Sequence, residues 1–184
     1  MSKAAMTERS AEPSPLFIAR MTGVFWLMTA LAGTLALLVG GRLGTAASLV
    51  ATACYVAATL LVYGLLKPVN RSLSLLAAFS SLLGCAIGAL SGFFYLQASN
   101  IPTLFFGLHC FLVGYLILRS TFLPRIVGVL MVFAGLGWLT KSVASVSPPL
   151  AHYLSPYPMA TGIIGEIALT LWLLVVGVNA QRWK

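Results

Sequence analysis

Three side chains able to do acid–base or ion-binding chemistry fall within apolar stretches of this chain: Glu166, His109 and Lys141. Glu166 is set apart, because the other two acids, Glu8 and Glu12, lie close to the N-terminus. A charge near the centre of a bilayer costs roughly 2.5 to 3.5 kcal/mol on insertion scales, so an acid placed there calls for a partner, a proton or a role. The carboxyl group would exchange a proton or hold a cationic group, with the imidazole and the ammonium tuning it. Counted inward from Met159 and Pro102, Glu166 and His109 each stand seven residues deep, about 10 Å at 1.5 Å per residue. Lys141, counted from Val146, stands about 7 Å deep on the same measure. The three form one polar layer near one membrane face. On a helical wheel Gly162, Glu166, Thr170, Leu173 and Gly177 share a face, and that small-residue side turns Glu166 into the bundle. Plainer structural readings stand beside this one. His109 could bond a neighbouring carbonyl, Lys141 could snorkel to the interface, and Arg20 could anchor the first helix there.

The elements that must position these residues follow from composition. The chain has 184 residues, 60% hydrophobic and 8% charged, with a mean hydropathy of +1.00. That is the composition of an all-α, polytopic integral membrane protein and not of a soluble domain. No segment shows the ten-residue alternation of a membrane barrel. A tail at 1–15 is expected to be disordered and cytoplasmic, followed by a domain at 16–184 of six transmembrane helices spanning about 16–40, 45–66, 73–96, 102–119, 124–146 and 160–181. The first run is longer than a secretory signal core and carries Arg20 inside its start. From Leu104 to Ser142, two apolar runs joined by RSTFLPR read as a helical hairpin, its joint marked by Arg119, Pro124 and Arg125. In the third span Ser80, Gly84, Gly88 and Gly92 recur every four residues, a ridge on which a neighbouring backbone can approach closely, and this ridge is the expected packing centre. Ser147 to Met159, with Pro148, Pro149, Pro156 and Pro158 beside Tyr153 and Tyr157, reads as an ordered interfacial loop.

Charge gives the threading. Lys3, Arg9, Arg20, Lys67, Arg71, Arg119, Arg125, Arg182 and Lys184 fall on one side of these spans, and only Arg42 and Lys141 on the other. Basic residues mark the cytoplasmic face, so both termini are expected in the cytoplasm. The same scatter argues against a nucleic-acid partner, because the net charge of +8 is spread singly over helix ends and forms no stripe. Cys54, Cys85 and Cys110 lie inside apolar runs without CxxC spacing, so neither a disulfide framework nor a metal site is expected. A Ser/His/Asp triad is excluded by the absence of Asp, and no GxSxG, HExxH, P-loop or GxGxxG sequence occurs. No cofactor is expected.

Three stretches carry a family likeness: LLKPVNRSLSLLAAF from Leu65 to Phe79, the hairpin sequence FFGLHCFLVGYLILRSTFLPRIVGVLMVFAGLGWLTKS, and the terminal GEIALTLWLLVVGVNAQRW. Together they resemble the bacterial membrane family catalogued as domain of unknown function 4386, over most of the chain from about Leu16 onward. The first external connection, GGRLGT, is shorter than in many members of that family. The resemblance implies a membrane fold and an address in the bacterial inner membrane, but no activity and no catalytic residues. Three functions remain open. One is a protein that binds or transports an ion or a small lipophilic or cationic molecule through the Glu166 layer. Another is an intramembrane enzyme acting on a lipid-like substrate. The third is a structural or regulatory bundle that docks another membrane protein. Beyond the lipid bilayer itself, oligomeric state stays open.

Overall fold

A backbone crossing hydrocarbon must pair its own N–H and C=O groups, and long apolar runs do so by coiling into helices. The computed structural model describes residues 13–93, 100–155 and 157–183, and no strand occurs among them. Seven helices form among these residues: α1 (Pro15–Val39), α2 (Gly41–Leu66), α3 (Arg71–Phe93), α4 (Ile101–Arg119), α5 (Arg125–Ala144), α6 (Pro148–Leu154) and α7 (Tyr157–Val175). All except the short α6 are long and apolar enough to cross a membrane, so the protein is a multi-pass membrane protein with six candidate spans. Its outer surface is correspondingly oily: Leu37, Leu38 and Val175 are 84%, 79% and 74% exposed, a face suited to lipid and not to water.

The six long helices form a closed ring. Each packs on its neighbour in sequence, α5 passes over α6 to pack on α7, and α7 returns against α1. The ring encloses Trp26, Ala58, Val62, Ala77, Cys110, Val113, Leu116, Met131, Leu169 and Leu173, all buried. Buried hydroxyls add interhelical bonds where hydrocarbon offers no competing water. Thr59 and Ser81 join α2 to α3 at 2.7 Å. Ser74 donates to the Tyr63 carbonyl at 3.2 Å, and Thr29 to that of Ala51 on the neighbouring helix at 3.3 Å.

Backbones approach closely along the α4–α5 hairpin. Gly107 and Gly114 on α4 face Gly135 and Gly128 on the antiparallel α5. A side chain on Gly135 would begin 2.5 Å from the Phe111 nitrogen, and one on Gly114 would begin 2.6 Å from that of Val132. The ridge on α3 behaves differently from the packing centre expected of it. Ser80 is buried but bonds within its own helix, to the Leu76 carbonyl. Gly84 admits the Phe106 ring, and Gly88 meets nothing nearer than Pro102 at 3.9 Å. The surroundings of Gly92 lie outside the described residues. Small spacing permits a close approach; the partner that arrives, here a ring and not a backbone, decides whether one occurs.

Boundaries differ from the expected spans where turns are tighter than the apolar pattern shows. Between α1 and α2 the chain reverses at Gly40, with φ 63° there and 54° at Gly41, so α2 starts inside the turn expected at 41–44. Only glycine adopts two such angles in succession without strain. The Pro/Tyr loop contains α6, and α7 starts within it at Tyr157. The last helix stops at Val175, well short of 181, because Gly177 at φ 76° turns the remaining residues under the bundle. There the Asn179 amide donates to the Phe122 carbonyl at 3.1 Å, and the Trp183 indole donates to that of Leu65 at 2.8 Å. The first twelve residues of the expected N-terminal tail lie outside the described residues.

Candidate functional site

Glu166 sits on α7 one turn beyond Gly162 and next to Gly165, and those glycines account for where its carboxyl group lies. A side chain on Gly162 would begin 2.5 Å from the Trp138 indole. One on Gly165 would run into the Leu130 carbonyl oxygen of α5 and stand 2.7 Å from the Ala134 methyl. Without side chains at both positions, α7 presses onto α5 and carries Glu166 against Trp138. The Trp138 Nε1–H donates to Oε1 of Glu166 at 2.8 Å. The Cys110 thiol, from α4, donates to the same oxygen at 3.5 Å. Oε2 receives no hydrogen bond from any described residue. It is therefore the oxygen left for a proton or for a ligand's donor.

The two basic groups of the layer are placed otherwise. Lys141 Nζ stands 5.1 Å from the centroid of the Trp138 ring, a cation–π contact, so the indole contacts both the ammonium and the carboxyl group. His109 is 1% exposed, and its Nδ1 lies 2.9 Å from the Ala77 carbonyl on α3. Neither basic side chain bonds to Glu166 among the described residues. Glu166 and Lys141 thus meet through Trp138, and His109 belongs to a different part of the interior. Trp138 and Cys110 were not singled out by their positions in the sequence. The available signal was that Trp138 is a tryptophan well inside a span, where its N–H needs an acceptor.

Beside Glu166 the ring opens into a cavity of about 960 Å³. Its walls come from the ends of α1 and α2 around Gly40 and Gly44, from Tyr55, from Gly84, Cys85 and Gly88 on α3, and from Phe106 on α4. Glu166 and Trp138 close it on the far side. The ridge glycines thus leave room for this space. The walls are mostly apolar with one carboxyl group, the usual make-up of a pocket for a small lipophilic ligand. Among the described residues no cluster of His, Cys and acidic side chains is arranged to hold a metal ion.

The fold and this cavity define a class: a small helical membrane protein whose six-span ring encloses a pocket bearing a single carboxyl group. Within it, residues 94–177 match the family model described as "Domain of unknown function (DUF4386)", the family that the sequence resembles. The matched part holds Glu166, Trp138, Cys110, His109 and Lys141, while α1, α2 and most of α3 supply the opposite cavity wall. The chain is also similar to a protein of Archaeoglobus fulgidus named "Uncharacterized protein". The two are 28% identical over 127 residues, covering 63% of this chain and 72% of the relative. No solved structure matches.

Proposed function

We propose that the protein binds, and in doing so moves across or along the membrane, a small lipophilic molecule that carries a cationic or other hydrogen-donating group. The apolar body fills the cavity between α1, α2 and α3, and the donor reaches Oε2 of Glu166. The observation that carries this reading is the carboxyl group itself: it faces the cavity with one oxygen held by Trp138 and Cys110 and the other without a donor among the described residues. An ionisable group at that depth points to a ligand or proton pathway. With both termini cytoplasmic, as the basic residues favour, the cavity opens to the outer face of the cell membrane.

Alkylamines test the chemistry. Thermal unfolding of the detergent-solubilised protein is followed with dodecylamine and, in parallel, with dodecanol. The amine is expected to raise the midpoint by several degrees and the alcohol by less. Glu166→Gln, nearly isosteric, should keep the fold and lose the difference between the two. Equal responses in both proteins would sink the reading. Orientation is checked apart from this: in whole cells, Ser155→Cys should react with a membrane-impermeant maleimide, and labelling only after lysis would reverse the threading.

A further inference from the structure

Three buried polar atoms in the ring interior make no hydrogen bond with any described residue: Nε1 of Trp26, the hydroxyl of Tyr55 and Nε2 of His109. They come from α1, α2 and α4 and form one cluster. The ring centroids of Trp26 and Tyr55 are 6.3 Å apart, those of Trp26 and His109 6.3 Å, and those of Tyr55 and His109 6.1 Å. Trp26 is 3% exposed and His109 1%. Buried polar groups nearly always find partners, so three orphans in one place point to a shared one.

The atoms themselves say what that partner must be. Nδ1 of His109 lies 2.9 Å from a carbonyl, which only accepts, so Nδ1 carries the hydrogen. In a neutral ring Nε2 is then an acceptor. The Trp26 indole only donates, and the Tyr55 hydroxyl does either. These groups do not satisfy one another directly, since none of the three atoms has a hydrogen-bond partner among the described residues. A shared partner has to accept from Trp26 and donate to His109. A carbonyl or an anion cannot donate, and an ammonium cannot accept; a hydroxyl does both.

We propose that Trp26, Tyr55 and His109 form a buried site for one hydroxyl group, supplied by a water molecule or by the head of a lipophilic alcohol. Tyr55 also lines the large cavity and packs edge-on against Phe106 at 5.1 Å, so this aromatic pair stands between the cavity and the site. The site does not depend on Glu166, and its failure would leave the alkylamine reading untouched.

Histidine side-chain nitrogen spectra of the intact protein in nanodiscs test it, because the chain has two histidines and His152→Gln assigns the other. The His109 Nε2 signal is expected at the position of a hydrogen-bonded acceptor, and it should move in Trp26→Phe, although that ring does not bond to it. A free-acceptor signal, or an imidazolium signal for both nitrogens, overturns the site in the wild-type protein alone, without need of a variant. Thermal unfolding supplies a second reading: Tyr55→Phe should lower the midpoint by a few degrees if its hydroxyl is partnered, whereas an unchanged or raised midpoint would mean that the hydroxyl was an orphan. Native mass spectrometry separates the sources. The bare chain mass identifies water, and an adduct lost in Tyr55→Phe identifies an alcohol.

Discussion

At one end of the ring the chain closes over itself, and at the other the described helices line a cavity. Under the basic end, the tail after Gly177 crosses the mouth of the bundle. Trp183 donates to Leu65, the Asn179 amide to Phe122 and the Thr121 hydroxyl to the Arg182 carbonyl, while Phe122, Leu123 and Val178 fill the space between. At the Gly40 end a single glycine connects α1 to α2, and the helices around it line a cavity that reaches Glu166. The difference teaches where function is affordable. A closed end needs a segment whose side chains satisfy exposed carbonyls, and α2, the joint between α4 and α5, and the tail supply it together. Of these regions, the joint RSTFLPR lies within residues 94–177, which match the family model. The open end spends its small residues on space instead of contact.

Four substitutions, with Gly88→Ala as a control beside the first, test that contrast in descending order of effect. The α4–α5 seam runs the length of the ring and holds both ends, so Gly135→Leu should abolish the difference by unfolding the bundle. Its side chain meets backbone that cannot move aside, and a loss of about 3 kcal/mol or more is expected. Size-exclusion profiles and thermal unfolding in detergent read the result. Gly88→Ala is the matched control; with only Pro102 at 3.9 Å, it should cost less than ~0.5 kcal/mol. Equal damage from the two would mean that α3 is as tightly packed as the hairpin.

Trp138→Phe should cost about 2 kcal/mol, since it removes the 2.8 Å bond to Glu166 and leaves the carboxyl with a distant thiol. The amine-dependent midpoint shift should shrink with it, an effect confined to the open end. Trp183→Phe acts at the closed end and should cost about 1 kcal/mol by leaving the Leu65 carbonyl without its indole donor. Here the amine shift should be unchanged, and a changed shift would show that the two ends are coupled. Apart from the Gly88→Ala control, Lys141→Met is the mildest: a partly exposed cation–π contact is worth about 0.5 to 1 kcal/mol, so unfolding should barely move. If it costs as much as Trp138→Phe, the ammonium acts on Glu166 directly and not through the indole.

What the sequence by itself determined is the set of six apolar spans and the lone acid among them. The bilayer imposes a length of about 20 apolar residues on each crossing, whatever the helices later touch. A lone acid inside such a run is conspicuous for the same reason, so Glu166 could be picked out before any packing was known. Its partners could not. Equal depth places Glu166, His109 and Lys141 in one layer, but rotation of each helix about its axis decides which side chains meet, and rotation is set by contacts between helices far apart in sequence. Gly162 and Gly165 let α7 seat against Trp138, so the indole and not a basic group takes the carboxyl oxygen. The α3 ridge makes the same point from the other side, since its spacing allowed a close backbone that came instead to α4 and α5. The end of α7 was hidden as well: the residues from Val176 to Ala180 are apolar enough to extend a span, and only the turn at Gly177 and the bonds that dock the tail under the hairpin show that they leave it. Hydropathy is a local property that the bilayer reads one segment at a time. Cavities and hydrogen-bond partners are properties of several helices at once, and only the assembled ring decides them.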